Sequence, residues 1–214
     1  MWKRGTLRQM FITFEGPEGA GKSTALAAVA QRLREMNFEV VTTREPGAGD
    51  FGKKIREILL HGDDLDAKAE LLLFLADRSN HVAKLIRPAL ESGAIVLCDR
   101  YADSTQVYQA YARGLDEDFV RQGNRFATGG LLPDLTLLFD IEPAAGLARI
   151  QSKDRMDSLP IEFHQKVRAG FLLEATSQPE RWRILDASAS SDEVLESAWA
   201  LIQATLAAKG AKLG

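Results

Sequence analysis

One segment constrains this chain more than any other. Gly16, Pro17, Glu18, Gly19, Ala20, Gly21, Lys22 and Ser23 match the spacing G-x-x-x-x-G-K-[ST], directly after the apolar run Phe11-Ile-Thr-Phe14. A helical pattern begins at Lys22, so the match sits between a strand and a helix, where a loop of this kind wraps phosphates. The glycines let the backbone turn its N–H groups inward, and the helix N-terminus adds about half a positive charge facing the anion. In that arrangement Lys22 bridges the β- and γ-phosphates, the Ser23 hydroxyl ligates Mg²⁺, and Thr24 assists the α-phosphate. The bland alternative is a glycine-rich turn that only caps a helix. The loop implies a nucleoside triphosphate such as ATP with magnesium, but switches, motors, helicases and kinases all carry it, so the reaction must be read from other residues.

The surrounding pattern supplies the fold. Five short apolar, β-branched runs are predicted strands: Met10 to Phe14, Glu39 to Thr43, Ala94 to Cys98, Asp134 to Ile141 and Trp182 to Leu185. Most lack strict alternation, as expected where helices cover both faces. Helical periodicity covers Lys22 to Met36, Lys53 to Leu60, Ala67 to Ser92, Ser104 to Tyr111, Glu117 to Thr128, Pro143 to Gln151, Glu162 to Glu174 and Ser191 to Ala208. Alternating strands and helices predict a three-layer α/β fold, a five-stranded parallel sheet flanked by helices, with ligands at the carboxyl ends of the strands.

Composition narrows the partners. A chain of 214 residues, 45% hydrophobic and 27% charged, suits one soluble domain, and no linker or internal repeat divides it. A net charge of −3 offers no field for nucleic acid or an anionic membrane. No run approaches the roughly 18 to 20 apolar residues of a membrane span. The opening Met1 to Gln9 is basic but lacks the apolar core of a signal, so residues 1–10 are expected to be a disordered tail before a single phosphate-loop domain over 11–208. The lone cysteine, Cys98, lies in Ala94-Ile-Val-Leu-Cys98 and is expected in a buried strand. A reducing, cytoplasmic setting fits that usage.

The residues beyond the loop favour transfer over hydrolysis. The third predicted strand ends in Asp99-Arg100-Tyr101, a carboxylate that can hold Mg²⁺ through water and a guanidinium that can bind phosphate beside it. A strand-end salt bridge is the plainer reading. Thr43-Arg44-Glu45-Pro46-Gly47 puts a second arginine on a neighbouring turn. A hydrolase needs only to orient water, whereas a kinase must hold a second phosphate in line with the first, which extra arginines serve. Phe74 and Arg78 share one helix face and could offer a stacking plane and a donor fork to a base; Phe74 could equally belong to a core stripe with Leu71 and Leu75. Arg149, Lys153 and Arg155 cluster within seven residues and suggest a mobile basic flap at about 149–160, or else a solvated charged loop.

In order and spacing these segments resemble the thymidylate kinase family: Phe14-Glu-Gly-Pro-Glu-Gly-Ala-Gly-Lys-Ser23, Thr43-Arg-Glu-Pro-Gly47, Phe74-Leu-Ala-Asp-Arg78, Asp99-Arg-Tyr101 and Pro133-Asp-Leu-Thr136, over about Phe11 to Ala204. The resemblance implies ATP-dependent phosphorylation of dTMP to dTDP on the P-loop nucleoside monophosphate kinase fold, usually by a homodimer. It places Glu18 near the acceptor's 3′-hydroxyl, Arg44 and Arg100 on its phosphate, Phe74 stacked on thymine and Arg78 on O4. Thr105 would face the base, Tyr108 would crowd the 2′ position and Gln109 would line the same wall. The chain is similar to the bacterial type with a basic lid, since its phosphate loop lacks arginine and its lid carries Arg149, Lys153 and Arg155; the lid is about three residues shorter than in that type. Another nucleoside monophosphate or deoxynucleoside as acceptor, and a slow ATP-hydrolysing switch, are the alternatives.

Overall fold

The apolar run ahead of the phosphate loop becomes a strand buried on both faces. β1 (Met10–Glu15) is buried at every residue and forms the middle of a sheet ordered β2-β3-β1-β4-β5. The computed structural model describes residues 9–152 and 154–210. β2 (Val40–Arg44), β3 (Ile95–Asp99), β4 (Leu135–Asp140) and β5 (Trp182–Asp186) all run parallel with their neighbours. Alternation along β1 sends Met10, Ile12 and Phe14 into one layer, against Val29 and Leu33 of α1 (Lys22–Glu35) and Ile202 and Leu206 of α9 (Ser191–Ala208). Phe11 enters the opposite layer with Val96, Cys98 and Tyr101. Thr13 and Glu15, also on that second side, are polar yet wholly buried.

Parallel register fixes what the strand ends present. Phe14 and Arg44 both lie opposite Asp99, so the phosphate loop, Asp99-Arg100 and Arg44 leave the sheet side by side. The chain passes to one side of β1 for β2 and β3 and to the other for β4 and β5. The crevice at such a switch point is where α/β sheets bind ligands.

The remaining helices are α2 (Gly49–His61), α3 (Ala67–His81), α4 (Arg87–Glu91), α5 (Ala102–Thr105), α6 (Glu117–Thr128), α7 (Pro143–Ala148) and α8 (Ile161–Ser177). The periodicity predicts one helix over Ala67 to Ser92, but a π turn, Val82–Ile86, separates α3 from α4. Pro88 has no N–H to continue the regular ladder, and just before it Arg87 N–H reaches back five residues to Val82 O. A second π turn, Gln106–Ala112, continues α5 and carries Tyr108 and Gln109, with Arg113 N–H on Tyr108 O at 3.0 Å. Met10 corrects the expected tail: it is fully buried and opens β1, because its side chain completes the layer over α1. Residues 1–8 of that expected tail lie outside the described residues. The predicted helix from Pro143 ends at Ala148 rather than Gln151.

Candidate active site

The phosphate loop needs its glycines for space as much as for dihedral angle. Gly16 has φ of 139°, and a Cβ there would lie 2.4 Å from Phe139 O; Gly19 has φ of 69°, and a Cβ would lie 1.9 Å from Gly146 O. Both approaches hold the loop against the ends of β4 and α7. Gly21, left-handed at 85°, caps α1 without a side-chain bond, which leaves the first N–H groups of α1 to a ligand. Lys22 Nζ donates to Gly16 O at 3.0 Å and Pro17 O at 2.6 Å. Burial, with Arg100 nearby, lowers its ammonium to about 8. Ser23 Oγ donates to Asp99 Oδ2. Both are hard oxygen donors of the kind Mg²⁺ takes alongside phosphates and water. Among the described residues no group of three or more His, Cys, Asp or Glu could hold an ion alone. A groove behind the loop is lined by Gly19 through Ala25, Arg149, Ala187 and Ser190.

Arg100 leaves β3 at φ of 66°, a strained conformation for a branched-off long side chain and one that turns its guanidinium into the crevice. It donates to Glu18 Oε1 at 3.1 Å and Ser104 Oγ at 3.2 Å, and stacks 5.1 Å from the Tyr108 ring centroid. Tyr108 OH also donates to Glu18 Oε1. Burial alone would raise the Glu18 carboxyl, but Arg100, His164, Lys22 and Tyr108 together hold it down to about 2. Glu18, Gly19, Lys22, Ser23, Arg44, Asp99 and Arg100 surround one small cavity, with Arg56 and Asp157 completing it. Arg44 is exposed there and enters no ion pair among the described residues.

A deeper cavity opens from the other side of Glu18 and Arg100. It holds about 640 Å³, the open solvent at its mouth included. Phe74, Arg78, Thr105, Tyr108 and Gln109 all line it, so the structure brings together every residue the sequence assigns to the acceptor base and sugar. Phe74 is half-buried and also packs on the apolar cluster of Val107 and Phe171, whereas Leu71 and Leu75 belong to a separate cluster with Val120. Arg78 is wholly buried: Nε donates to Glu45 Oε2 at 2.8 Å, Nη1 to Thr105 Oγ1 and Asn124 Oδ1, and Nη2 to Tyr101 O. Four of a guanidinium's five N–H groups are thereby used, which leaves one Nη2 hydrogen for the cavity. Gln109 Nε2 donates to Glu70 Oε1 at 3.0 Å.

The predicted flap divides in two. Arg149 ends α7, donates to Ala187 O at 3.0 Å and lines the groove behind the loop. Lys153 lies outside the described residues. Arg155 is tied to the body of the protein, with Nε on Leu59 O at 2.9 Å and Nη2 on Glu70 Oε2 at 2.5 Å. Asp154 accepts from the Met156 and Asp157 N–H groups and so sets the turn in which Met156 is buried.

Sequence reasoning missed Arg56, Glu45, Asn124, Glu70, Asp157 and His164. Arg56 and Asp157 line both cavities, and Arg56 Nη1 donates to Pro46 O at 3.0 Å. Arg56 had a signal: it adjoins the apolar positions Ile55 and Leu59 of an amphipathic helix, where a cation on the inner side is unusual. Asp157 pairs locally with Asp154, and Glu45, Glu70, Asn124 and His164 meet their neighbours through contacts distant in sequence, which local patterns do not encode.

A phosphate loop at the switch point of a five-stranded parallel sheet, opening onto a second cavity lined by arginines, defines a P-loop nucleoside monophosphate kinase. The model of the thymidylate kinase family matches residues 14–198. A thymidylate kinase from a Synechococcus strain is 48% identical over 197 residues, covering 92% of this chain and 96% of the relative. One from Thermomicrobium roseum is 50% identical over 196 residues, covering 90% and 93%. The crystal structure of a thymidylate kinase from Ehrlichia chaffeensis aligns with a TM-score of 0.77 at 34% identity, covering 91% of this chain and 98% of that one. The chain belongs to the thymidylate kinase family.

Proposed function

We propose that this protein transfers the γ-phosphoryl group of ATP directly to dTMP, giving ADP and dTDP. The observation that carries this reading is the shared wall of the two cavities: Glu18 and Arg100 line both the deep cavity and the small cavity that reaches Lys22 and Ser23. An acceptor phosphate near Arg100 would then face a γ-phosphate on Lys22. Family membership does not favour other nucleoside monophosphates or deoxynucleosides as acceptor.

Each residue acts as a positioner or a charge stabiliser, none as an activated nucleophile. Backbone N–H groups from Gly16 to Thr24 cradle the triphosphate, and Lys22 neutralises charge between its last two phosphates. Ser23 and Asp99 would hold Mg²⁺, which would offset the negative charge that develops on the phosphates. Arg44 and Arg100 clamp the acceptor phosphate. Phe74 stacks on thymine, and the spare hydrogen of Arg78 meets O4. Thr105 and Gln109 complete the base wall, while Tyr108 and Glu18 face the sugar. Arg149 and Lys153 supply positive charge from the lid as transfer proceeds.

A homodimer fits the surface, since α3 and α6 pack together and carry the exposed apolar side chains Leu72, Phe119 and Phe126. No helix among the described residues is long and apolar enough to cross a membrane. We place the enzyme in the cytoplasm on its family and its lone buried Cys98. A coupled assay of ADP release with dTMP, dUMP, UMP, dCMP and AMP tests the reaction. The largest kcat/KM is expected with dTMP, and dUMP should lose about tenfold or more for its missing methyl. Equal turnover of AMP would overturn the assignment.

A further inference from the structure

His164 is a buried titratable side chain that the reaction as described does not use. It is 1% exposed, and neither ring nitrogen has a hydrogen-bond partner among the described residues. It stands in an apolar stripe of α8: Val167 and Phe171, three and seven positions on, are wholly buried, and the Phe163 ring meets it edge-on at 5.7 Å. A phenylalanine or leucine would fill this place without burying two unpaired polar nitrogens. Packing therefore gives no reason for an imidazole.

Glu18 gives one. Its Oε1 accepts from Tyr108 OH and from Arg100 Nη2, whereas its Oε2 is buried with no partner. His164 Nδ1 lies 3.4 Å from that Oε2. Two orphaned groups thus face each other across the wall of the acceptor cavity, a few tenths of an ångström beyond ordinary hydrogen-bond length. A carboxylate offers about four lone-pair positions. Tyr108 and Arg100 meet Oε1, and His164 would take one of those on the buried Oε2.

We infer that His164 is a positioning residue for the acceptor sugar: by donating from Nδ1 to the buried Glu18 Oε2 it fixes the rotation of that carboxylate, which holds Oε1, with Tyr108 and Arg100, against the 3′-hydroxyl of a 2′-deoxynucleoside monophosphate. The inference rests on the reading that Glu18 faces the sugar. Glu18, held down to about 2 despite its burial, is ionised at neutral pH, and an ionised carboxylate accepts from all its neighbours. Because α8 follows directly on the turn set by Asp154, the same bond ties the phosphate loop to the base of the lid.

The test is a cycle between enzyme and substrate. The ratio of kcat/KM for dTMP to that for its 3′-deoxy analogue is measured in the parent, His164→Phe, His164→Leu and His164→Asn enzymes. The ratio should fall about tenfold in the two apolar variants, with KM for ATP unchanged, and return in His164→Asn, which keeps a donor near Nδ1. A parent ratio in a folded apolar variant, or a ratio in His164→Asn as low as in His164→Phe, overturns the inference. Should neither apolar variant fold, ¹⁵N spectra of the parent imidazole decide: a protonated Nδ1 that responds to dTMP but not to the 3′-deoxy analogue supports it, and an unprotonated Nδ1 contradicts it. Glu18→Gln run alongside separates the two layers. If it leaves the ratio unchanged, the placing of Glu18 at the sugar fails; if it lowers the ratio while His164→Phe does not, only the role of His164 fails.

Discussion

The two halves of the site are built from different materials. On the donor side the loop from Gly16 to Ser23 presents main-chain groups, and its lysine is held by two of the loop's own carbonyls. On the acceptor side the wall is made of buried side chains locked by other side chains: Arg78 by Glu45, Thr105 and Asn124, and Gln109 by Glu70. A triphosphate offers every nucleotide the same charge and shape, so a backbone cradle serves it. A base is distinguished only by donors and acceptors at fixed places, which requires side chains that cannot turn. Substitutions on the donor side should therefore alter rate, whereas those on the acceptor side should alter acceptor affinity and, where the lock is buried, stability.

Lys22→Met gives the largest expected effect, about 10²-fold or more in kcat with the protein still folded, since the ammonium stabilises charge that grows during transfer. Near-parent turnover would remove the donor half of the comparison. Arg78→Ala comes next and should act twice. It raises KM for dTMP, and it takes from the buried Glu45 carboxylate its arginine partner, leaving His81 Nδ1 at 2.8 Å, a loss of about 3 kcal/mol in chemical denaturation. Phe74→Ala isolates the binding part: KM for dTMP should rise about tenfold to a hundredfold, as expected for a lost base–aromatic stack, with KM for ATP nearly constant. Equal changes in both KM values would make Phe74 a core residue only.

The smallest effect concerns Glu15, next to the loop. Burial first, and then Asp103, push its carboxyl from 4.5 up to about 8, although it accepts from Tyr101 N–H at 2.8 Å and contacts Ser104 Oγ at 2.6 Å. Below pH 4.5 both folded and unfolded chains hold this proton, so it has no effect on stability there. As pH rises toward 8 the unfolded chain releases it and the folded chain keeps it, so this group lowers stability across that window. Asp77, raised by burial to about 6, acts in the same sense but fades over about one pH unit above that. Between pH 6.5 and 8 the parent should lose stability more steeply than Glu15→Gln, as read from denaturant midpoints. Parallel slopes would show that Glu15 is ionised in the fold.

The same contrast explains what the sequence makes legible. The donor loop can be read directly because close backbone approach admits only glycine at Gly16 and Gly19, and the strand-end residues Arg44, Asp99 and Arg100 follow from strand order. Phe74, Arg78, Tyr108 and Gln109 show their helix face but not their locks, since Glu45 and Asn124 lie 33 and 46 residues from Arg78. Arg155 looks like a lid cation until Glu70 and Leu59 O, distant in sequence, account for its guanidinium. The π turn under Tyr108 changes helical register without any residue that announces it.

The central claim, that one cavity delivers its phosphoryl group to a nucleotide held in the other, is tested most directly by single turnover of γ-³²P-labelled ATP with Mg²⁺, with and without dTMP. The account predicts label in dTDP at the rate of ATP consumption, almost none in inorganic phosphate, and almost no ATP consumed when dTMP is absent. Label released as phosphate at the same rate with or without dTMP would contradict it.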